Sequence, residues 1–218
     1  MQFQRRSFVG RALKSFFAVA AALAIAAPAM AQVAGKDYTL VEPAQPTDNP
    51  AKIEVIEFFS YGCPHCNDFN PLIGAWAAKL PADVYFKKVP VTFGRAAWSN
   101  IARLYYALET TGDLGKLDAE VFKAIHADRV NLFDEKVLNE WVAKKGVDPK
   151  KFADAFNSFG VMSKVKRAEL MQQSYRVQGV PAVVVNGKYM IEGKEFNETL
   201  AIADKLIAKV RTERGGKK

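Results

Sequence analysis

Apolar residues recur along this chain with spacings that change from segment to segment. From Ile53 to Phe59 they are continuous apart from Glu54 and Glu57, as expected of a strand covered on both faces. Phe69, Leu72, Ile73 and Trp76 then return at helical spacing, with Pro71 as a kink, and Val84, Phe86, Val89 and Val91 alternate as a strand over Asp83 to Val91. Together they form a β-α-β unit whose crossover should be right-handed. A short strand is predicted upstream at Tyr38 to Val41.

From Arg95 to Arg176 the spacing is helical throughout. Ile101/Leu104/Tyr105/Leu108, Leu117/Val121/Phe122/Ile125, Val137/Leu138/Trp141/Val142 and Phe152/Ala155/Phe156 each mark one apolar face, and Val161/Val165/Leu170/Met171 marks a longer one. Gly112, Gly115, Gly146, Gly160 and the helix-start signal Asp148-Pro149 punctuate them. Strand character returns at Ala182 to Val185 and Lys188 to Ile191. Asn186-Gly187 between them supplies the positive φ angles of a type I′ hairpin turn. Phe196 to Arg211 is predicted as a closing helix with Leu200, Ala203, Ile207 and Val210 inward, and Arg211 to Lys218 as a frayed, solvated end.

Composition narrows the class. The chain has 218 residues, half of them hydrophobic, enough for one or two domains with a core that needs no disulfide staples. The first residues have the layout of an export signal: bases Arg5, Arg6, Arg11 and Lys14, an apolar core from Phe16 to Ala27, and the small-x-small site Ala29-Met30-Ala31. Residues 1–31 are therefore expected to be removed, with cleavage between Ala31 and Gln32 and export of the remainder. Arg5-Arg6-Ser7-Phe8 also fits a twin-arginine signal, so the export route stays open. The apolar run is shorter than the ~20 residues of a membrane helix. Formal charge is +8, which falls to +4 without the leader's four bases, and several of the remaining bases lie in the tail. That balance gives no case for nucleic acid binding.

The chemistry concentrates in Ser60-Tyr61-Gly62-Cys63-Pro64-His65-Cys66, directly after the first long strand. Cys63 and Cys66 are the only cysteines. In an exported chain such a pair is not a structural framework. At a helix start, residues three apart share a face, so the two sulfurs can bond with little backbone movement. Cys63 would meet the free N–H groups and positive dipole end of the helix, which favour thiolate, making it the nucleophile and Cys66 the buried partner. Pro64 suits the first turn because its missing N–H would have no partner there. His65 can add an N–H or a positive charge beside Cys63, or be an incidental polar residue at a helix start.

With Gly179-Val180-Pro181-Ala182 and Val185-Asn186-Gly187-Lys188-Tyr189, the segment Glu57 to Cys66 resembles the DsbA-like family of periplasmic thiol:disulfide oxidases, and the resemblance covers nearly all of the chain after the leader. It implies an α/β, thioredoxin-like fold with an inserted all-helical domain: residues 32–94 and 177–218 forming the thioredoxin-like part, and 95–176 a helical insert capping the active-site face. It also implies a Cys63–Cys66 disulfide, a cis Val180-Pro181 bond beside it with the Val180 backbone free to pair with extended peptide, and re-oxidation by a DsbB-like, quinone-linked membrane protein. Substrates would be exported proteins with free cysteines. The protein would act as a monomer, without cofactor or metal. The short Gly193-Lys194 link implies reduced groove loops. Glu57 is expected to be buried and either paired or protonated, with Lys88 the natural partner, as a similar acid and lysine lie beneath the family's active site, unless it reaches solvent at the strand end.

Other readings compete. Zinc would need four ligands, and beyond the pair only His65 and His126 offer nitrogen. A reductase or isomerase would use the same thiols in reverse. A holdase-like peptide-binding module would not need them. His126 and the aromatics Phe93, Trp98, Phe122 and Phe133 are read as structural.

Overall fold

The computed structural model describes residues 34–215. The expected export signal, the expected Ala31/Gln32 cleavage site and the last three residues lie outside them. Five strands, β1 (Tyr38–Leu40), β2 (Ile53–Phe59), β3 (Val84–Pro90), β4 (Ala182–Val185) and β5 (Tyr189–Ile191), form one sheet in the order β1-β5-β4-β2-β3. Only β2 and β3 are parallel, joined through α1 (Pro64–Ala77). β4 runs antiparallel to β2 and to β5.

All seven residues of β2 are buried because both of its faces are covered. Ile53 and Val55 pack with Phe69 and Ile73 of α1 and with Ala203 and Ile207 of α7 (Phe196–Gly215). Ile56 and Phe58 point the other way, toward Ala168 and Tyr175. The helical stretch resolves into α2 (Ala96–Thr111), α3 (Leu114–His126), α4 (Glu135–Lys144), α5 (Pro149–Phe156) and α6 (Phe159–Ser174). Local signals set these boundaries. Asp134, Asp148 and Ser158 each accept a backbone N–H at a helix start, and Gly112 closes α2 in the left-handed region at φ +84°. The hairpin turn has φ +55° at Asn186 and +66° at Gly187, as a type I′ turn requires.

Three expectations are corrected. Leu72 and Leu170 are exposed, because the inward stripe at helical spacing is Cys66, Phe69 and Ile73 on α1 and Val161, Val165 and Ala168 on α6. The closing helix does not fray at Arg211 but runs to Gly215. Its last turns are tied down: Arg211 bridges Asp83, Glu213 accepts from Tyr189 Oη, and Arg214 donates to Lys52 O and Asn186 Oδ1.

Candidate active site

The first cysteine is the N-cap of α1. Cys63 keeps extended backbone angles (φ −95°, ψ 119°), Pro64 opens the first turn, and Asn67 N donates back to Cys63 O at 3.1 Å. The approach is a tight turn in which Cys63 N donates to Ser60 O and Gly62 N to Ser60 Oγ. Gly62 is needed here for space: a Cβ on it would lie 3.1 Å from the Phe133 ring and 3.3 Å from Trp98 Nε1.

The two cysteines are thiols in this structure and are unequal. Cys63 is 8% exposed, less than a helix start suggests, and Cys66 is fully buried. Cys66 donates to the Cys63 sulfur, and that bond is the main reason the Cys63 pKa falls from 9.0 to about 6. Burial opposes the fall, while the backbone N–H groups of Cys66 and His65 and the His65 ring reinforce it. The same hydrogen bond, now made by the donor, pushes the Cys66 thiol far up, with burial and the nearby Cys63 and Glu57 charges adding to it. His65 is exposed beside the pair. Val180-Pro181 is cis, as is Glu42-Pro43, and Cys63 Sγ donates to Val180 O at 3.3 Å. A cleft of about 450 Å³ runs from His65 and Phe69 past Val180 and Pro181 to Gly193 and Phe196, so the short Gly193-Lys194 link still leaves a groove beside His65 and the Val180-Pro181 turn.

Glu57 is fully buried below the pair, as expected, and of the two expected arrangements the pairing with Lys88 is not the one found. Neither carboxyl oxygen has a hydrogen-bond partner among the described residues. Burial raises its pKa to about 7 against the lowering pull of Lys88. Lys88 sits opposite Glu57 in the β2–β3 register, yet its ammonium turns to Asp118 Oδ2 (2.9 Å) and Asn70 Oδ1 (2.7 Å), 4.3 Å from the centre of the Phe59 ring. Lys88 is thus satisfied by a carboxylate and an amide oxygen at hydrogen-bond distance, without Glu57.

Several residues here escaped sequence reasoning. Asp118 of α3 also accepts from Tyr61 Oη at 2.7 Å, which joins the helical segment to the active-site loop. His126, read as structural, places Nε2 2.7 Å from Tyr61 O. Since a carbonyl can only accept, that nitrogen carries the proton. One signal was available, since Asp118 lies next to Leu117 and four residues before Phe122, an acid at the edge of an apolar face.

The description of the DSBA-like thioredoxin domain matches residues 54–203, more than half of the chain. The chain belongs to the DSBA-like thioredoxin family. Its curated relatives include thiol:disulfide interchange protein DsbA of Pseudomonas aeruginosa, 40% identical over 204 residues, 91% of this chain and 95% of that protein. The protein of the same name from Bordetella parapertussis is 39% identical over 198 residues, covering 89% and 94% of the two chains. Among solved structures, P. aeruginosa DsbA superposes with TM-score 0.81 at 39% identity over 84% of this chain and 97% of that one. The DsbA oxidoreductase of Xylella fastidiosa gives 0.79 at 35% identity over 83% and 98%. Family membership accounts for the thioredoxin-like sheet, which carries the redox pair at the end of β2.

Proposed function

We propose that this protein is a thiol:disulfide oxidoreductase that donates a Cys63–Cys66 disulfide to exported proteins carrying free cysteines. The observation that carries this reading is the inequality of the two thiols, one acidic at the helix start and one held protonated a turn deeper. A substrate thiolate attacks Cys63 Sγ, forming a mixed disulfide, and the Cys63–Cys66 bond breaks with its electron pair on Cys66, which takes a proton. A second substrate thiolate then attacks the substrate sulfur, and Cys63 leaves as a thiolate. The substrate loses two electrons and the protein keeps them as the dithiol. An acidic Cys63 favours this direction because it is a good leaving group and stabilises the reduced protein.

Around the sulfurs, Pro64 sets the helix start and His65 adds its ring and backbone N–H. Val180 O, held by the Val180-Pro181 turn, offers a backbone acceptor to extended substrate in the adjoining cleft. Glu57, uncharged about half the time near neutrality, is the proton donor for the departing Cys66 thiolate. Segment 95–176 caps the site. The family resemblance, with the export-signal layout of the first residues, supports a periplasmic location, removal of residues 1–31, and re-oxidation by a DsbB-like quinone-linked membrane protein.

The test is a single turnover with a reduced two-cysteine peptide. The oxidised protein should oxidise it stoichiometrically, Cys63→Ser should not, and Glu57→Gln should slow the step while the fold is kept. Failure of the oxidised wild type to oxidise the peptide sinks the assignment. If Cys63→Ser/Cys66→Ser suppressed peptide aggregation as well as wild type and wild type oxidised nothing, the holdase reading would stand instead.

A further inference from the structure

The charge network beneath the thiols has a member on the helical segment. Lys88 has three N–H donors. One is taken by Asn70 Oδ1 of α1 and one by Asp118 Oδ2 of α3, while the ammonium lies against the faces of Phe59 and Phe122, 4.3 and 5.2 Å from their centres. Its side chain is 12% exposed, so water contributes little. Two of its three donors are therefore taken, and two ring faces lie against it, without Glu57, although Glu57 is its cross-strand neighbour. Asp118 is held in turn by Tyr61 Oη, so the carboxylate is clamped between the active-site loop and β3.

We propose that Asp118 is a positioning residue for the redox pair: it holds the Lys88 ammonium away from Glu57 and thereby leaves Glu57 free to carry a proton beneath Cys66. This rests on the relay reading of Glu57 given above. The ionisable groups that face Glu57 are Cys63 and Cys66 from α1, Tyr61 from the loop, Lys88 from β3, Asp118 from α3 and Tyr105 from α2. Lys88 alone is a cation, and among the anions Asp118 alone touches it. Without the Asp118 charge, the strongest remaining acceptor within reach of Lys88 is the Glu57 carboxylate, and an ion pair there would keep Glu57 ionised at neutral pH.

Asp118→Asn tests this while keeping an oxygen for Tyr61. In protein labelled with ¹³C at glutamate carboxyls, with the Glu57 signal assigned by its loss in Glu57→Gln, the Glu57 midpoint should drop by about one pH unit or more. Asp118→Glu, which restores the charge, should bring the midpoint back. Because Asp118 also acts on Glu57 through space, the comparison is repeated with Lys88→Met, where Asp118→Asn should produce less than about half the drop. An unchanged midpoint in Asp118→Asn, or an equal drop with Met at 88, overturns the proposal. The pH profile of single-turnover peptide oxidation separates the two readings. A profile that moves with the midpoint supports both. A shifted midpoint with an unmoved profile supports the placement of Lys88 by Asp118 and overturns the relay role of Glu57 instead.

Discussion

Lowering the pH through the range in which Cys63 titrates should destabilise the reduced protein selectively. In the folded dithiol the Cys63 pKa is depressed to about 6, whereas an unfolded chain has the ordinary ~8.5 of a free thiol. A depressed acid contributes stability that is fully present above its unfolded value and lost as the pH falls through its folded one. Between about pH 8 and about pH 5 the linkage integral is about 2.5 kcal/mol, or about 2 kcal/mol once solvent screening at the helix end is allowed for. The oxidised protein has no such thiol, and the loop-closing effect of its disulfide does not depend on pH, so it cancels from the comparison. The redox potential must follow the same linkage. Below the break, reduction takes up two protons with two electrons and the potential falls ~59 mV per pH unit; above it one proton is taken up and the slope halves to ~30 mV. Equilibration with a dithiol–disulfide buffer across this range, read by thiol-specific mass tagging, measures the slope, and urea melts of both forms measure the stability. A Glu57→Gln background removes the other group that titrates near neutrality. A slope that stays near 59 mV up to pH 8, or equal pH responses of the two forms, would show that the Cys63 thiol is not acidic.

Other outcomes follow from contacts around the site. Iodoacetamide at mildly acid pH should label Cys63 and spare Cys66, which is buried and held protonated; equal labelling on peptide mapping would refute the inequality. Gly62→Ala should cost about 1 kcal/mol in a urea melt, since its Cβ presses on Phe133 and Trp98, ring edges that can yield by a few tenths of an ångström. A loss several times larger would mean those rings cannot move. Arg214→Ala should cost about 1–2 kcal/mol by removing charged hydrogen bonds to Lys52 O and Asn186 Oδ1, and an unaltered melt would return the tail to the solvated end expected from sequence.

Local patterns determined most of the architecture. β2 is the seven-residue run Ile53–Phe59 because continuous apolar character demands cover on both faces, and the β4–β5 turn is Asn186-Gly187 because few other pairs tolerate two positive φ angles. The spacing of Cys63 and Cys66 and the lone acid Glu57 in an apolar strand were equally legible, since covalent reach and the cost of burying charge act over a few residues. Only tertiary structure decided which charge Lys88 serves. Adjacency on the sheet favoured Glu57, but Asp118, thirty residues further along the chain, arrives on α3 at hydrogen-bond distance of the ammonium while Glu57 is fully desolvated, its pKa raised to about 7. The tail was misread for the same reason, as Asp83 and Asn186 that hold it are remote in sequence. Hydrophobic spacing reports which face of an element turns inward, whereas ion-pair partners depend on which elements pack together and on how much water their packing leaves.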